Sequence, residues 1–222
     1  YAAMITRMDR EIGKMMALIA ELGLDEDTIF LFISDNGSLN GTHQGLGGVD
    51  ATFFNSSSGL RDGKGTLYEG GIRSPGIVRW KGKVKPGSTS KAITGFEDWI
   101  PTLLELCGVK DKTPAGIDGA SFAAVLRGET QNGREFLYRE FPNYGGQQCV
   151  RLGKWKYIRT GLSAGKAKKA AKTSEELYDL ENDPAETTNV LAQHPEVVAQ
   201  VKAIAAREHQ NSAEFMFPAL DQ

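Results

Sequence analysis

With 222 residues, 40% hydrophobic content and a net charge of −2, the chain can bury a sizeable core and carries no field that would recruit nucleic acid or an anionic membrane. No apolar run approaches the ~18 residues of a membrane-spanning helix. The two cysteines, Cys107 and Cys149, lie in no C-x-x-C or Cys/His cluster, which argues for free thiols and against a disulfide framework or a zinc site. The sequence starts at Tyr1 without a charged-then-apolar leader, as a fragment or processed product would.

The first 22 residues predict an amphipathic helix over 3–22. Ile5, Met8, Ile12, Met15, Ile19 and Leu22 recur at three- and four-residue spacing, a stripe expected to pack into a core, and Gly23 is placed to stop the helix. A strand follows at 28–34. Its unbroken run Ile29–Ile33 predicts cover on both faces, as in a parallel sheet flanked by helices. Residues 36–66 form a long excursion rich in Gly, Ser and Asn, of a length that is functional or disordered inside a compact domain. Ile77–Trp80 predicts the next strand. "GFEDWIPTLLELCGV" predicts a helix with Ile100, Leu103, Leu104 and Cys107 on one side, Pro101 in its first turn and Gly108 at its end. From about Phe136 short alternating segments rich in Tyr, Trp and Val predict an antiparallel sheet, closed by a helix that begins near Pro195. The four lysines of "GKAKKAAK", 165–172, read as a solvated loop; a contact for a polyanionic glycan is the alternative. The polar stretch 126–134 marks a boundary, giving domains over 1–130 and 131–222 and an α/β class overall.

Chemistry concentrates in two places. Ser34, Asp35, Asn36 and Gly37 follow directly on the apolar strand, at the carboxyl end where open α/β sheets bind ligands. Asp35 and Asn36 offer hard oxygens, suited to Ca²⁺ with Mg²⁺ as the weaker alternative, although a plain turn uses the same residues. Two oxygens are far short of the six to eight that Ca²⁺ takes, so other segments must complete the set. Downstream, "GLRDGKGTLYEGGIRSP", 59–75, puts Lys64 between glycines, where its ammonium can approach an anion closely. Glu69 and Arg73 read as an ion pair beside glycines that let backbones pack tightly, with a substrate contact as the alternative for Arg73. His43 is either an exposed loop histidine or a substrate contact, and Asn55 and Arg61, from the same loop, share that choice.

"SDNG" at a strand end, followed by "GKGTLYEGGIRSP", with "MITRMDREIGKMMALIAELGLDEDTIFLFISDNG" before and "ELYDLENDPAETTNVL" after, resembles the C-terminal half of type I sulfatases, the arylsulfatase-like branch of the alkaline phosphatase superfamily. The resemblance implies part of an alkaline-phosphatase-like sheet-and-helix sandwich, followed by a small α+β subdomain with an antiparallel sheet. It implies that Asp35 and Asn36 are calcium ligands and that Lys64 holds a sulfate oxygen of a sulfated small molecule or glycan. It also implies a formylglycine nucleophile, made from the first residue of a C/S-x-P/A-x-R motif. Cys107 in "CGVKD" and Cys149 in "CVRLG" do not fit that motif, and neither does "SSGLR" or "SPGIVR". The nucleophile is therefore expected in a missing N-terminal half, which becomes this chain's partner, and exported compartments (periplasmic, secreted or lysosomal) become the expected location. Three rivals stay open: a phosphatase or phosphodiesterase of the same superfamily, a sulfatase-like binding protein without a nucleophile, and a structural interaction module. The first would favour a histidine after the aspartate, where Asn36 stands.

Overall fold

A computed structural model describes residues 1–39, 50–129, 134–163 and 173–221. In chain order the elements are α1 (Ala2–Glu21), β1 (Phe30–Ile33), α2 (Glu69–Ile72), β2 (Gly76–Arg79), α3 (Trp99–Leu106), α4 (Ala123–Leu126), β3 (Phe136–Phe141), β4 (Gln147–Leu152), β5 (Trp155–Thr160), β6 (Ser174–Asp179) and α5 (Pro195–Glu208). The fold is α/β. Its contacts gather into two compact units, one of residues 1–33 and 75–134, the other of 34–74 and 135–222.

In the first unit α1 forms as its periodicity predicts, and Gly23 follows it in the left-handed region at φ 73°. The expected core packing is not found: no residue of α1 is buried, and Met4, Met15 and Leu18 are more than half exposed. β1 also departs from expectation. It pairs antiparallel with β2, Phe30 opposite Arg79 and Ile33 opposite Gly76, in a two-stranded ribbon whose β1 residues are all half-buried. An unbroken apolar run reports that both faces of a strand avoid water, but it does not name the strand that pairs with it. The ribbon is tied at its base, where Arg79 donates to both Asp25 oxygens at 2.7 and 3.1 Å and the Trp80 indole donates to the Glu26 carbonyl at 2.7 Å. α3 has Pro101 in its first turn, but its buried residues are Pro101 and Thr102, and Ile100 and Cys107 are exposed. A polar anchor turns the helix: the Thr102 hydroxyl donates to the Asp98 carbonyl (2.6 Å) and accepts from the Phe122 amide (3.0 Å), while Phe122 packs edge-on against Trp99.

The second unit is built on the antiparallel sheet β3-β4-β5-β6, each strand paired with the next. Alternate side chains point to opposite faces, and here both faces are covered. Val150, Tyr157 and Leu177 meet Val197, Val201, Ile204 and Ala205 of α5. On the other face Cys149, Ile158 and Tyr178 pack with Leu67 and Tyr68 from the segment that leads into α2. Both cysteines are free, and burial pushes the Cys149 thiol up to about 11, where it is inert as a nucleophile.

Candidate active site

β1 stops at Ile33 and the chain turns at once. The Ser34 hydroxyl donates to the Asn36 carbonyl at 2.9 Å and lies 3.5 Å from Asp35 Oδ1. Asn36 Nδ2 donates to the Gly37 carbonyl at 2.8 Å. That bond uses the amide nitrogen and leaves Asn36 Oδ1 free to accept, next to the exposed carboxylate of Asp35. Two hard oxygens are thus presented by consecutive residues of one tight turn.

The turn is pressed backbone to backbone against the glycine-rich segment. The Gly37 amide donates to the Gly71 carbonyl at 2.8 Å, and the Lys64 amide donates to the Ser38 carbonyl, also at 2.8 Å. Gly70 donates to the Arg61 carbonyl at 2.8 Å, closing the segment on itself. A side chain on Gly37 would collide with the Gly70 carbonyl, and one on Gly71 with the Thr66 carbonyl. Gly37 joins Gly70 and Gly71, whose sequence reading as points of close backbone approach is therefore met. So is the ion pair between Glu69 and Arg73, at 3.6 Å. Lys64 is exposed and forms no ion pair with another described residue. Beside it the Ser38 hydroxyl is buried without a hydrogen-bond partner among the described residues. Among the described residues no group of three or more His, Cys, Asp or Glu side chains is placed to hold a metal ion. Two concavities, of about 430 Å³ beside Glu105 and Thr113 and about 20 Å³ beside Asp98 and Arg134, belong to the first unit.

The segment carrying Lys64 is fastened to the sheet at Gly65, Leu67, Tyr68 and Glu69. Gln147 of β4 accepts from the Leu67 amide (3.0 Å) and donates to the Gly65 carbonyl (3.1 Å). The Tyr68 hydroxyl donates to Glu176 Oε2 at 2.7 Å, and burial together with that carboxylate pushes its pKa up. Below α2, Lys156 Nζ lies 2.9 Å from Glu69 Oε1 and 3.0 Å from Glu186 Oε1, and the three residues are only 1%, 5% and 1% exposed. Glu186 Oε2 also accepts from the Glu69 amide at 2.7 Å. Burial raises the Glu186 carboxyl above its ordinary range, against the pull of Lys156.

Of the residues singled out in the sequence, Asp35, Asn36 and Lys64 are brought onto adjoining backbone. Arg61 is turned inward: its guanidinium stacks 3.8 Å from the Tyr68 ring centre and donates to the Tyr178 hydroxyl (2.5 Å) and the Glu186 carbonyl (3.0 Å). Asn55 has a left-handed backbone (φ 46°) and its side-chain oxygen accepts from the Gly59 amide at 3.2 Å. His43 and the lysine-rich stretch 165–172 lie outside the described residues. Sequence reading passed over Lys156, Glu186 and Gln147. For Gln147 and Lys156 the only signal is polar residues alternating with apolar ones along strands, which reads as a wet face, and Glu186 lies in the polar turn that follows β6.

Comparison with known proteins follows the same geometry. A family model described as "Sulfatase" matches residues 1–109, and one described as "N-sulphoglucosamine sulphohydrolase, C-terminal" matches residues 59–211. Human arylsulfatase A is 31% identical over 234 residues, covering 96% of this chain and 44% of that protein. An N-acetylgalactosamine-6-O-sulfatase of Bacteroides thetaiotaomicron is 31% identical, covering 90% of this chain and 40% of its own length. A structure solved in complex with its substrate D-glucosamine-2-N,6-O-disulfate superposes with a TM-score of 0.72 at 25% identity, over 93% of this chain and 39% of that one. The chain thus spans less than half the length of these relatives.

Proposed function

We propose, on the premise that this chain belongs to the sulfatase family, that it is the part of a sulfuric ester hydrolase that grips the sulfate group. Asp35 and Asn36 would supply two oxygen ligands to a calcium ion, and Lys64 would hold a sulfuryl oxygen beside it. The observation that carries this reading is the pair of 2.8 Å backbone bonds, Gly37 to Gly71 and Lys64 to Ser38. They hold the backbone of Lys64 against that of the turn carrying Asp35 and Asn36, which supports reading the three as one site.

The donor set fits a hard cation: the Asp35 carboxylate, the Asn36 amide oxygen and a Ser38 hydroxyl without a hydrogen-bond partner among the described residues are all oxygen, which suits Ca²⁺ and not a soft metal. When bound, such an ion polarises a sulfuryl oxygen as a Lewis acid. Lys64 contributes positive charge where negative charge is held on the ester. Opposite unit charges 4 Å apart near a protein surface interact by about 4 kcal/mol. The substrate class is a sulfated glycan or a smaller sulfate ester. The formylglycine expected of the family finds no counterpart here, since no C/S-x-P/A-x-R motif occurs in the sequence, and no step is assigned to it.

The test is kinetic. In the whole protein that contains this chain, Lys64→Ala should lower kcat/KM for an aryl sulfate by one or more orders of magnitude, on the few-kcal/mol scale above. An unchanged kcat/KM removes Lys64 from the site.

A further inference from the structure

We infer that Lys156 is a positioning residue, whose buried ammonium sets the place of the segment that presents Lys64; this rests on the reading of Lys64 as the sulfate-binding lysine. An ammonium at 1% exposure is costly unless well paired, and a well-packed apolar residue at such a site is often as stable or more so. β5 shows that an apolar residue fits on this face, since Ile158, two residues on, is fully buried there. What the charge adds is direction. Lys156 of β5 joins Glu69, the first residue of α2, to Glu186, whose backbone is held in the left-handed region at φ 53°. Arg73 and Arg151 approach the same Glu69 carboxylate at 3.6 and 4.0 Å, and Glu186 reaches back to the Glu69 amide.

Two residues beyond Glu69 stands Gly71, whose carbonyl receives the Gly37 amide, and five residues before it stands Lys64, bonded to Ser38. The Gly37 contact leaves no slack, because even a methyl group there would overlap the Gly70 carbonyl. A shift of Glu69 is therefore carried to the Asp35–Asn36 turn and to Lys64 together. The buried trio acts as the datum from which both halves of the sulfate grip are placed.

Hydrogen exchange and sulfate binding test this on the folded chain. In Lys156→Met, the Gly37 and Lys64 amides should exchange about tenfold faster while the Val150 and Ile158 amides keep their rates, a local opening and not a global one. The dissociation constant of inorganic sulfate, followed by amide chemical shifts, should rise about tenfold in the same variant, as a misplaced binding group predicts. If Lys156→Met does not fold, the charge-neutral variant Lys156→Met/Glu69→Gln/Glu186→Gln replaces it, with the same expectation. Unchanged exchange at Gly37 and Lys64 overturns the inference, and so does a uniform rise across the sheet, which would make the trio a stability element only. Lys64→Ala is the control. If it leaves sulfate binding intact, the functional reading falls, while the exchange rates still decide whether Lys156 positions the segment.

Discussion

A methyl group on Gly37 would lie 1.9 Å from the Gly70 carbonyl oxygen, and one on Gly70 would lie 2.4 Å from two carbonyl oxygens, those of Arg61 and Asp62. These partners are backbone, so nothing flexible can yield, and overpacking of this kind costs about 1–3 kcal/mol. Gly37→Ala should therefore lower the unfolding free energy measured by chemical denaturation by an amount in that range, and Gly23→Ala serves as a contrast, since its Cβ meets nothing within 4 Å and only the left-handed φ of 73° resists it. Equal stability of Gly37→Ala and the parent protein would show that the turn does not rest against α2. At this scale much of the site could be read before the structure. Asp35, Asn36, Lys64 and the paired glycines stood out because polar residues crowd after an apolar run and glycines flank a lysine, although a plain turn uses the first of these patterns too. Lys156 could not be read. A lysine in an alternating strand signals a solvent face, and the signal misleads when a loop 87 residues away in sequence covers that face.

Elements were legible in proportion to how local their causes are. α1 and α5 follow from period and from Gly23 and Pro195, whereas the pairing of β1 with β2 depends on a partner more than forty residues away in sequence. The buried face of α3 depends on one hydroxyl. The end of α5 offers a case where charge joins elements. His209, just past its last turn, places Nδ1 2.6 Å from Glu140 of β3 and Nε2 2.9 Å from Asp221, and Tyr138 and Gln148 also donate to Glu140. Burial lowers the imidazole pKa, but the two carboxylates outweigh it and the net shift is upward. A raised folded pKa gives stability that is complete below the unfolded value of about 6.5 and is lost as pH rises through the folded value. The melting temperature should therefore fall from about pH 6 to about pH 9, by more in the parent than in His209→Gln. Parallel curves for the two proteins would show that the carboxylates do not hold an imidazolium.

For the molecule as a whole, the decisive relation is between the residues it has and the chemistry its family performs. Sulfate-ester hydrolysis of this type needs a nucleophile, an activating metal and proton transfer in one place. The 222-residue sequence supplies candidates for holding charge, in Asp35, Asn36 and Lys64, but no C/S-x-P/A-x-R motif from which a formylglycine could be made. Its two thiols are no substitute: Cys149 is buried with a raised pKa, and neither Cys107 in "CGVKD" nor Cys149 in "CVRLG" fits that motif. Coverage agrees, since the chain aligns with 44% of human arylsulfatase A and 40% of the bacterial N-acetylgalactosamine-6-O-sulfatase. Purified 222-residue chain is therefore expected to show no turnover of 4-nitrophenyl sulfate, with calcium or with a chelator, while still binding inorganic sulfate through Lys64. The two halves of that expectation separate binding from chemistry: shifts at the Lys64 and Ser38 amides on adding sulfate, in a protein that releases no nitrophenol. Calcium-dependent release by the purified chain, abolished in Lys64→Ala, would mean that a nucleophile lies within these residues and that the division of labour drawn here is wrong.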